Sequence, residues 1–322
     1  MATMNAALVS SFEDGPQYEQ IEVPQPTTSE EIVVDVLAVG LHPRVRSGAA
    51  GTHYTSTAIL PMIPGIDAVA QRPDGKRIYF VADDHHAGTM ADKAVVAARR
   101  AIELPDDIDV ATVAATMNPA MSAWVALRRR VPIEAGQSVL ILGATGNAGT
   151  MAVQVAKRLG AGHVVGAGRD LERLNALTSL GADRVVQMSD DHEATGRALG
   201  AAAGEVDIVI DYLWGGPAQQ AIMALLKARS DRSRALDWIQ IGAIAGPTIE
   251  LPSVALRSAN LRLQGNGQGA VSTETYVAEL PSLVDEINAG AIALTASPRP
   301  LADVHTIWAT ADPPGERTVL IP

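Results

Sequence analysis

Cysteine is absent from this sequence. Disulfides, thiolate nucleophiles and every cysteine-ligated zinc site are therefore excluded together. Aromatic residues are scarce, at 3% of the chain, so a core has to be built from Ala, Val, Leu and Ile. Positive charge is in deficit, with a formal net charge of -11. Such a field repels phosphate-rich surfaces and speaks against nucleic acid or an anionic membrane as partner. No uninterrupted apolar run reaches the roughly 18 residues of a membrane span, and the first ten residues lack the basic and apolar regions of a signal peptide. These absences lead to the expectation of a soluble, cytoplasmic protein without a membrane partner.

What is present is an ordinary globular complement, 47% hydrophobic over 322 residues, a length that favours two domains. The first third reads as β-rich. Short β-branched runs at 6–9, 32–38, 68–71, 77–81 and 93–97 are punctuated by turns such as Asp14-Gly15-Pro16, a texture that suits an irregular barrel. From Asp109 to Arg130 the sequence turns Ala-rich and helical, and Pro119 is expected to end one helix and open the next. From Ser138 onward strands and helices alternate. Strands are expected at 138–142, 163–165, 184–187, 206–210 and 238–241, with helices at 150–159, 171–180, 194–203 and 218–227. That alternation predicts a parallel sheet covered by helices on both faces. After residue 267 the texture is mixed again, with a helix at 275–289 and a last strand at 317–321.

The strongest local signal is Gly143-Ala144-Thr145-Gly146-Asn147-Ala148-Gly149, set between an apolar strand and an amphipathic helix. One glycine turns the chain tightly off the strand, another lets backbone approach a pyrophosphate, and the last brings helix onto sheet. The helix N-terminus then offers N–H groups to the phosphates. At the end of the next strand the chain reads Gly166-Ala167-Gly168-Arg169-Asp170-Leu171-Glu172-Arg173. No acid stands directly at the strand end, where NAD binders place one for the ribose. Gly168 would leave room, and Arg169 with Arg173 would face a 2′-phosphate, which favours NADPH; Asp170 is the acid that would suit a ribose instead. Asp83-Asp84-His85-His86 reads as a solvated loop, since adjacent residues rarely converge on one ion.

The order of Val39-Gly40-Leu41-His42-Pro43, Ile63-Pro64-Gly65-Ile66-Asp67, Gly88–Asp92, Asn118-Pro119, the glycine turn, Val206–Asp211, Ile241-Gly242-Ala243 and Gly265-Asn266-Gly267 resembles the medium-chain dehydrogenase/reductase superfamily, in its zinc-independent quinone oxidoreductase branch. The resemblance runs along essentially the whole chain. It implies a GroES-like β-rich barrel (1–118 and 268–322) and a Rossmann doubly wound parallel sheet (119–267), with hydride chemistry in the cleft between them. Where relatives hold a catalytic zinc, this chain has His42, Ile66 and Asn118, and an isoleucine cannot ligate a metal. No metal is expected. Without a Lewis acid, alkoxide stabilisation is lost. Hydride transfer from NADPH to a quinone, enone or other conjugated carbonyl is then the favoured reaction, because the developing charge is delocalised onto oxygen.

The same resemblance implies the site. Tyr54 would donate to the acceptor oxygen, His42 would line the cleft in place of an asparagine, and Asn118 and Ser122 would lie beside the nicotinamide; packing or capping roles compete for each. Asp211 and Tyr212 would contact the cofactor, with Ile241, Gly242, Ala243 and Asn266 framing the nicotinamide. Met188 stands where many relatives have a tyrosine near the adenosine phosphate. Leu261–Gln264 resembles the edge strand through which the family forms homodimers. Two alternatives stay open: an enoyl-thioester or 2-alkenal reductase on the same scaffold, and a non-catalytic NADPH-binding redox sensor.

Overall fold

Frequent Gly and Pro keep strands short in the first part of the chain. The computed structural model describes residues 2–56, 59–82, 87–313 and 315–322; the Asp83–His86 loop lies outside them. The chain divides into two compact units, Met1–Asn118 with Thr273–Pro322, and Pro119–Ser272.

In the first unit, β1 (Thr3–Leu8) pairs antiparallel with β2 (Gln17–Glu22). β3 (Glu31–Gly40) is the spine of a larger sheet, followed by the short helix α1 (Pro43–Ala49). β4 (Asp67–Gln71), β5 (Arg77–Val81), β6 (Lys93–Ala97) and β7 (Ala101–Glu103) complete the antiparallel part, in which β3 takes both β4 and β6 as neighbours. Val34, Val36, Leu41, Ile78, Phe80, Met90 and Val96 form the core. Alternation in β3 and the mostly buried β5 made both readable beforehand. β2 was not expected, because almost all of it is exposed and it carries no apolar period.

The Ala-rich segment forms one helix, α2 (Val110–Val125), which runs straight through Pro119. The expected break at this proline does not occur. A proline inside a helix costs about 3 kcal/mol, but Val113–Met117, Ala120, Met121 and Ala123–Val125 are all buried, and tertiary burial of this kind outweighs propensity. The helix continues as a wider π turn, Ala126–Arg130, in which Val131 N–H reaches back five residues to Ala126 O at 2.9 Å. The stretch Val110–Arg130 is long and apolar enough to cross a membrane by length and mean hydropathy, although Thr, Asn, Pro and Ser interrupt its apolar run. Yet 72% of its most apolar window is buried in the protein, as in a core helix.

The second unit is the alternating one. β8 (Ser138–Leu142), α3 (Asn147–Arg158), β9 (His163–Gly168), α4 (Leu171–Ala176), β10 (Arg184–Gln187), α5 (His192–Ala203), β11 (Ile208–Asp211), α6 (Gly215–Ala228), β12 (Leu236–Gln240), α7 (Ser253–Arg257) and β13 (Leu261–Gly265) follow in turn. The six strands are all parallel, in the order β10-β9-β8-β11-β12-β13. The continuous apolar runs Val139–Leu142 and Ile208–Ile210 are buried, as strands covered on both faces must be. The sheet is therefore the doubly wound Rossmann type, with its order reversing beside β8. Asp170 and Asp191 cap α4 and α5 by accepting from Arg173 N–H and Ala194 N–H, which sets where those helices begin.

The chain then returns to the first unit as α8 (Thr273–Asn288), β14 (Thr295–Pro300), α9 (Val304–Ile307) and β15 (Glu316–Ile321). β15 pairs antiparallel with β3 at Val319↔Gly40 and Leu320↔Val39, and carries β14 on its other side. The fold class is thus a β-rich unit plus a Rossmann parallel sheet.

Candidate functional site

The turn after β8 is built by two glycines with different tasks. Gly143 has φ +80, a left-handed conformation that costs glycine nothing. At Gly149, inside the first turn of α3, an added Cβ would run into Gly143 O and lie 2.6 Å from Ala144 Cα, so only glycine lets the helix sit on the turn. Gly146 differs from both: a Cβ there meets nothing nearer than Gly143 O at 3.7 Å. The space beside Gly146 lies at the helix N-terminus, where the N–H groups of Asn147, Ala148 and Gly149 belong to the first turn. Such groups carry the positive end of the helix dipole. A pyrophosphate fits this cradle on geometry and on charge.

The end of β9 differs from expectation. The room above Gly168 is filled by Thr145, whose Cγ2 and Oγ1 would lie 2.7 and 2.9 Å from an added Cβ. Gly168 therefore admits a neighbouring side chain of the turn and does not itself leave a cavity for phosphate. Arg169 precedes the α4 cap, so the two arginines are not on one helix. Arg169 is exposed and has no ion pair among the described residues, while Arg173 Nε lies 3.3 Å from the Asp170 carboxylate. Asp170 accepts from Arg173 N–H at 3.0 Å and is engaged as a cap. Met188 is buried, with its N–H donating to Gly168 O at 2.7 Å.

Around the ends of β11, β12 and β13 a second set of residues converges. Ser122 Oγ donates to Pro119 O at 2.9 Å and lies 2.9 Å from the Tyr212 hydroxyl. With its own proton so engaged, Ser122 Oγ accepts a hydrogen bond from the Tyr212 hydroxyl. Burial pushes the Tyr212 pKa well up, against the Ser122 contact, so the phenol stays neutral. Asn266 Nδ2 donates to Ser122 O at 2.9 Å and Asn266 N–H to Gln240 O at 2.8 Å. Gly242 is pressed on Tyr212, whose carbonyl oxygen would be 2.6 Å from a Cβ. Ile241 and Gly242 N–H both bond to Asp211 O, and Ala243 O accepts from Gly246 N–H at 3.2 Å.

Asp211 turns its side chain inward. Its carboxylate is fully buried and accepts from Leu213 N–H at 2.8 Å, Trp214 N–H at 3.0 Å and Trp238 Nε1–H at 3.1 Å. Burial raises its pKa, and these donors pull the other way. The side chain organises the strand end, holding Trp214 at φ 51, and presents nothing outward. The two tryptophans were missed in the sequence reading, as was Asp67 in the first unit. Only Asp67 carried a signal, as the acid directly after Ile66 in the Ile63–Asp67 run.

In the first unit His42 is 3% exposed, and its Nε2 lies 2.9 Å from Asp67 Oδ1. Asp67 Oδ2 accepts from the buried Tyr79 hydroxyl at 2.8 Å. Burial lowers the His42 pKa, with Asp67 opposing. A neutral ring giving its Nε2 proton to a carboxylate keeps Nδ1 as a bare acceptor, and that atom is buried with no hydrogen-bond partner. This placement makes His42 a buried residue at the N-terminal boundary of α1, its ring held by Asp67 and making no side-chain cap to the helix. Tyr54 is the opposite case, 72% exposed, with its ring 4.4 Å from that of His53. Asn118 sits half-buried in the middle of α2 and not at a helix start.

A catalytic zinc does not fit these residues. Ile66 has no donor atom, His42 Nε2 is taken by Asp67, and the described residues hold no group of three His, Cys, Asp or Glu able to share an ion.

Among family models, one described as zinc-binding dehydrogenase matches residues 148–275. The chain is 29% identical to a probable NADPH-dependent quinone reductase of Emericella nidulans, over 99% of this chain and 100% of that one. Its fold is similar to that of a putative NADPH:quinone reductase from Bacillus thuringiensis, with TM-score 0.82 and 18% identity over the full length of both chains. A quinone oxidoreductase from Thermus thermophilus, solved also with NADPH, gives TM-score 0.79 and 23% identity over 99% of this chain and 100% of that one.

Proposed function

We propose, from the premise that the chain belongs to the medium-chain dehydrogenase/reductase superfamily in its quinone oxidoreductase branch, that it transfers hydride from NADPH to a quinone or other conjugated carbonyl acceptor without zinc. The observation that carries the reading is the turn after β8. Glycine is required at Gly143 by its left-handed φ and at Gly149 by backbone contact, and the open side at Gly146 faces a helix N-terminus.

When bound, NADPH supplies the hydride; the protein supplies position and charge. The Gly143–Gly149 turn holds the pyrophosphate through backbone N–H groups. Arg169, without an ion pair in the described protein, pairs with the 2′-phosphate, and Arg173 joins it by giving up part of its contact with Asp170. Tyr212, Ile241, Gly242, Ala243 and Asn266 frame the nicotinamide. Tyr54 donates a hydrogen bond to the acceptor oxygen, where negative charge develops, and the proton that completes reduction reaches that oxygen from solvent. Aligning donor and acceptor carbons is then the main catalytic contribution.

The active form in this reading is a homodimer joined along β13. This edge strand exposes Leu263, the neighbouring α7 exposes Val254 and Leu256, and Trp214, Trp238 and Pro247 line a groove beside it.

The test follows absorbance loss of NADPH and NADH with a quinone, an enone and an enoyl thioester, on protein whose zinc content is measured. Oxidation of NADPH by the quinone, with zinc well below one equivalent, is expected. Arg169→Ala should raise the KM for NADPH by about tenfold or more, the weight of one charge-assisted contact, and leave NADH unchanged. Protein that binds NADPH but oxidises it with no acceptor would instead be a redox sensor.

A further inference from the structure

The π turn at the end of α2 sets Arg130 against a loop far from it in sequence. Its Nε donates to Gly265 O at 2.9 Å and its Nη1 to Ala270 O at 3.1 Å. These two carbonyls are the ends of one segment, Gly265–Ala270, which is closed on itself by Ala270 N–H donating to Gly267 O at 3.0 Å. Gly265, Gly267 and Gly269 would give an unrestrained segment of this kind many conformations. Between the clamped ends stands Asn266, only 8% exposed, tied through its N–H to Gln240 O and through its amide to Ser122 O. An ordinary α turn would direct residue 130 elsewhere, since the extra residue of a π turn rotates everything after it. The preceding Arg128 takes a different role, stacking 5.1 Å from the Trp124 ring centroid.

We propose that Arg130 is a positioning residue for hydride transfer. Its guanidinium grips both ends of the Gly265–Ala270 loop, so that Asn266 is presented to the bound nicotinamide in one geometry. The proposal rests on the reading that Asn266 frames the nicotinamide. A planar fork of donors suits two carbonyls at once; a lysine ammonium, a point charge on a flexible stem, does not reproduce that span. Loss of the clamp leaves the Rossmann sheet intact and loosens the alignment of the reacting carbons. The cost therefore falls on turnover and not on folding.

The experiment is a double-mutant cycle on the full-length chain with Arg130→Ala, Asn266→Ala and both together. kcat, the KM for NADPH, the kinetic isotope effect with NADPH deuterated at C4, and the melting temperature are read for each. Arg130→Ala should lower kcat by about tenfold, raise the isotope effect, and leave melting close to the parent. Combined with Asn266→Ala it should add little, because both changes remove the same alignment. Arg130→Lys should not restore kcat. Where the alanine variant fails to fold, Arg130→Gln, which keeps one donor, replaces it in the same cycle. Losses that simply multiply in the double variant, or an unchanged kcat in Arg130→Ala, would overturn the positioning role while leaving Asn266 in place. An Asn266→Ala variant with parental kcat and KM would overturn the reading of Asn266, and the proposal built on it.

Discussion

An aspartate at the end of a Rossmann strand is available to a cofactor only while its carboxylate has somewhere outward to point. At Asp211 all the donors come from within, from two backbone N–H groups and the Trp238 indole, and burial of the carboxylate is complete. Asp207, at the other end of the same strand, shows the opposite electrostatic balance. Burial raises its pKa, but Ser138 N–H and Oγ–H, each at 2.8 Å, and the Arg234 guanidinium outweigh it and bring the pKa below the ordinary value. A carboxylate depressed in this way contributes stability that is present above the unfolded pKa of about 3.9 and disappears as pH falls through the folded one. The melting-temperature gap between the parent and Asp207→Asn should therefore be widest above about pH 5 and should close towards pH 2. A gap that stayed constant across that range would show the loss to be packing alone. Neither aspartate's partners were legible beforehand. They depend on the Trp238 ring and the Ser138 backbone, which only the folded sheet brings to the strand ends.

At the scale of elements, legibility followed locality. The turn from β8 into α3 was readable because strand, glycines and helix lie consecutively, with Gly143 set by its own φ and Gly149 by neighbours five and six residues back. Gly149→Ala should cost about 1–3 kcal/mol of stability by overpacking against Gly143 and Ala144. Gly146→Ala meets no such obstacle, so it should melt with the parent yet weaken NADPH binding. Thermal unfolding and NADPH titration of the two variants separate these outcomes, and equal destabilisation of both would remove the distinction. The run through Pro119 was misread for the converse reason. Proline's preference is local, but burial along both sides of it in α2 is not, and burial decides. β2 carries no period because one strand partner and solvent are nearly all it meets. Gly168 looked like room for a ligand, and the occupant proved to be Thr145 of the adjoining turn. Arg130 could not be found in sequence at all, since its target lies 135 to 140 residues away and a π turn aims it there.

For the whole molecule, the open edge of β13 carries the clearest expectation. An exposed strand edge with apolar side chains invites pairing with another copy. Leu263→Glu, at a position already 37% exposed, should convert a dimer into a monomer in sedimentation while leaving helix and strand content unchanged. A parent that sediments as a monomer would dismiss the dimer, and a dimer unaffected by this variant would place its interface elsewhere. The closing strand β15 brings in the timetable of synthesis. The Rossmann unit is one unbroken stretch and has all its strands once Ser272 has been made. β3, translated far earlier, must wait for Val319 and Leu320 before its last edge is covered. Until those two residues are in place, the sheet around β3 keeps an unsealed edge while the parallel sheet of the second unit already has its six strands. To the cell's quality control, a chain caught at that stage would look like a misfolded protein with one half already complete.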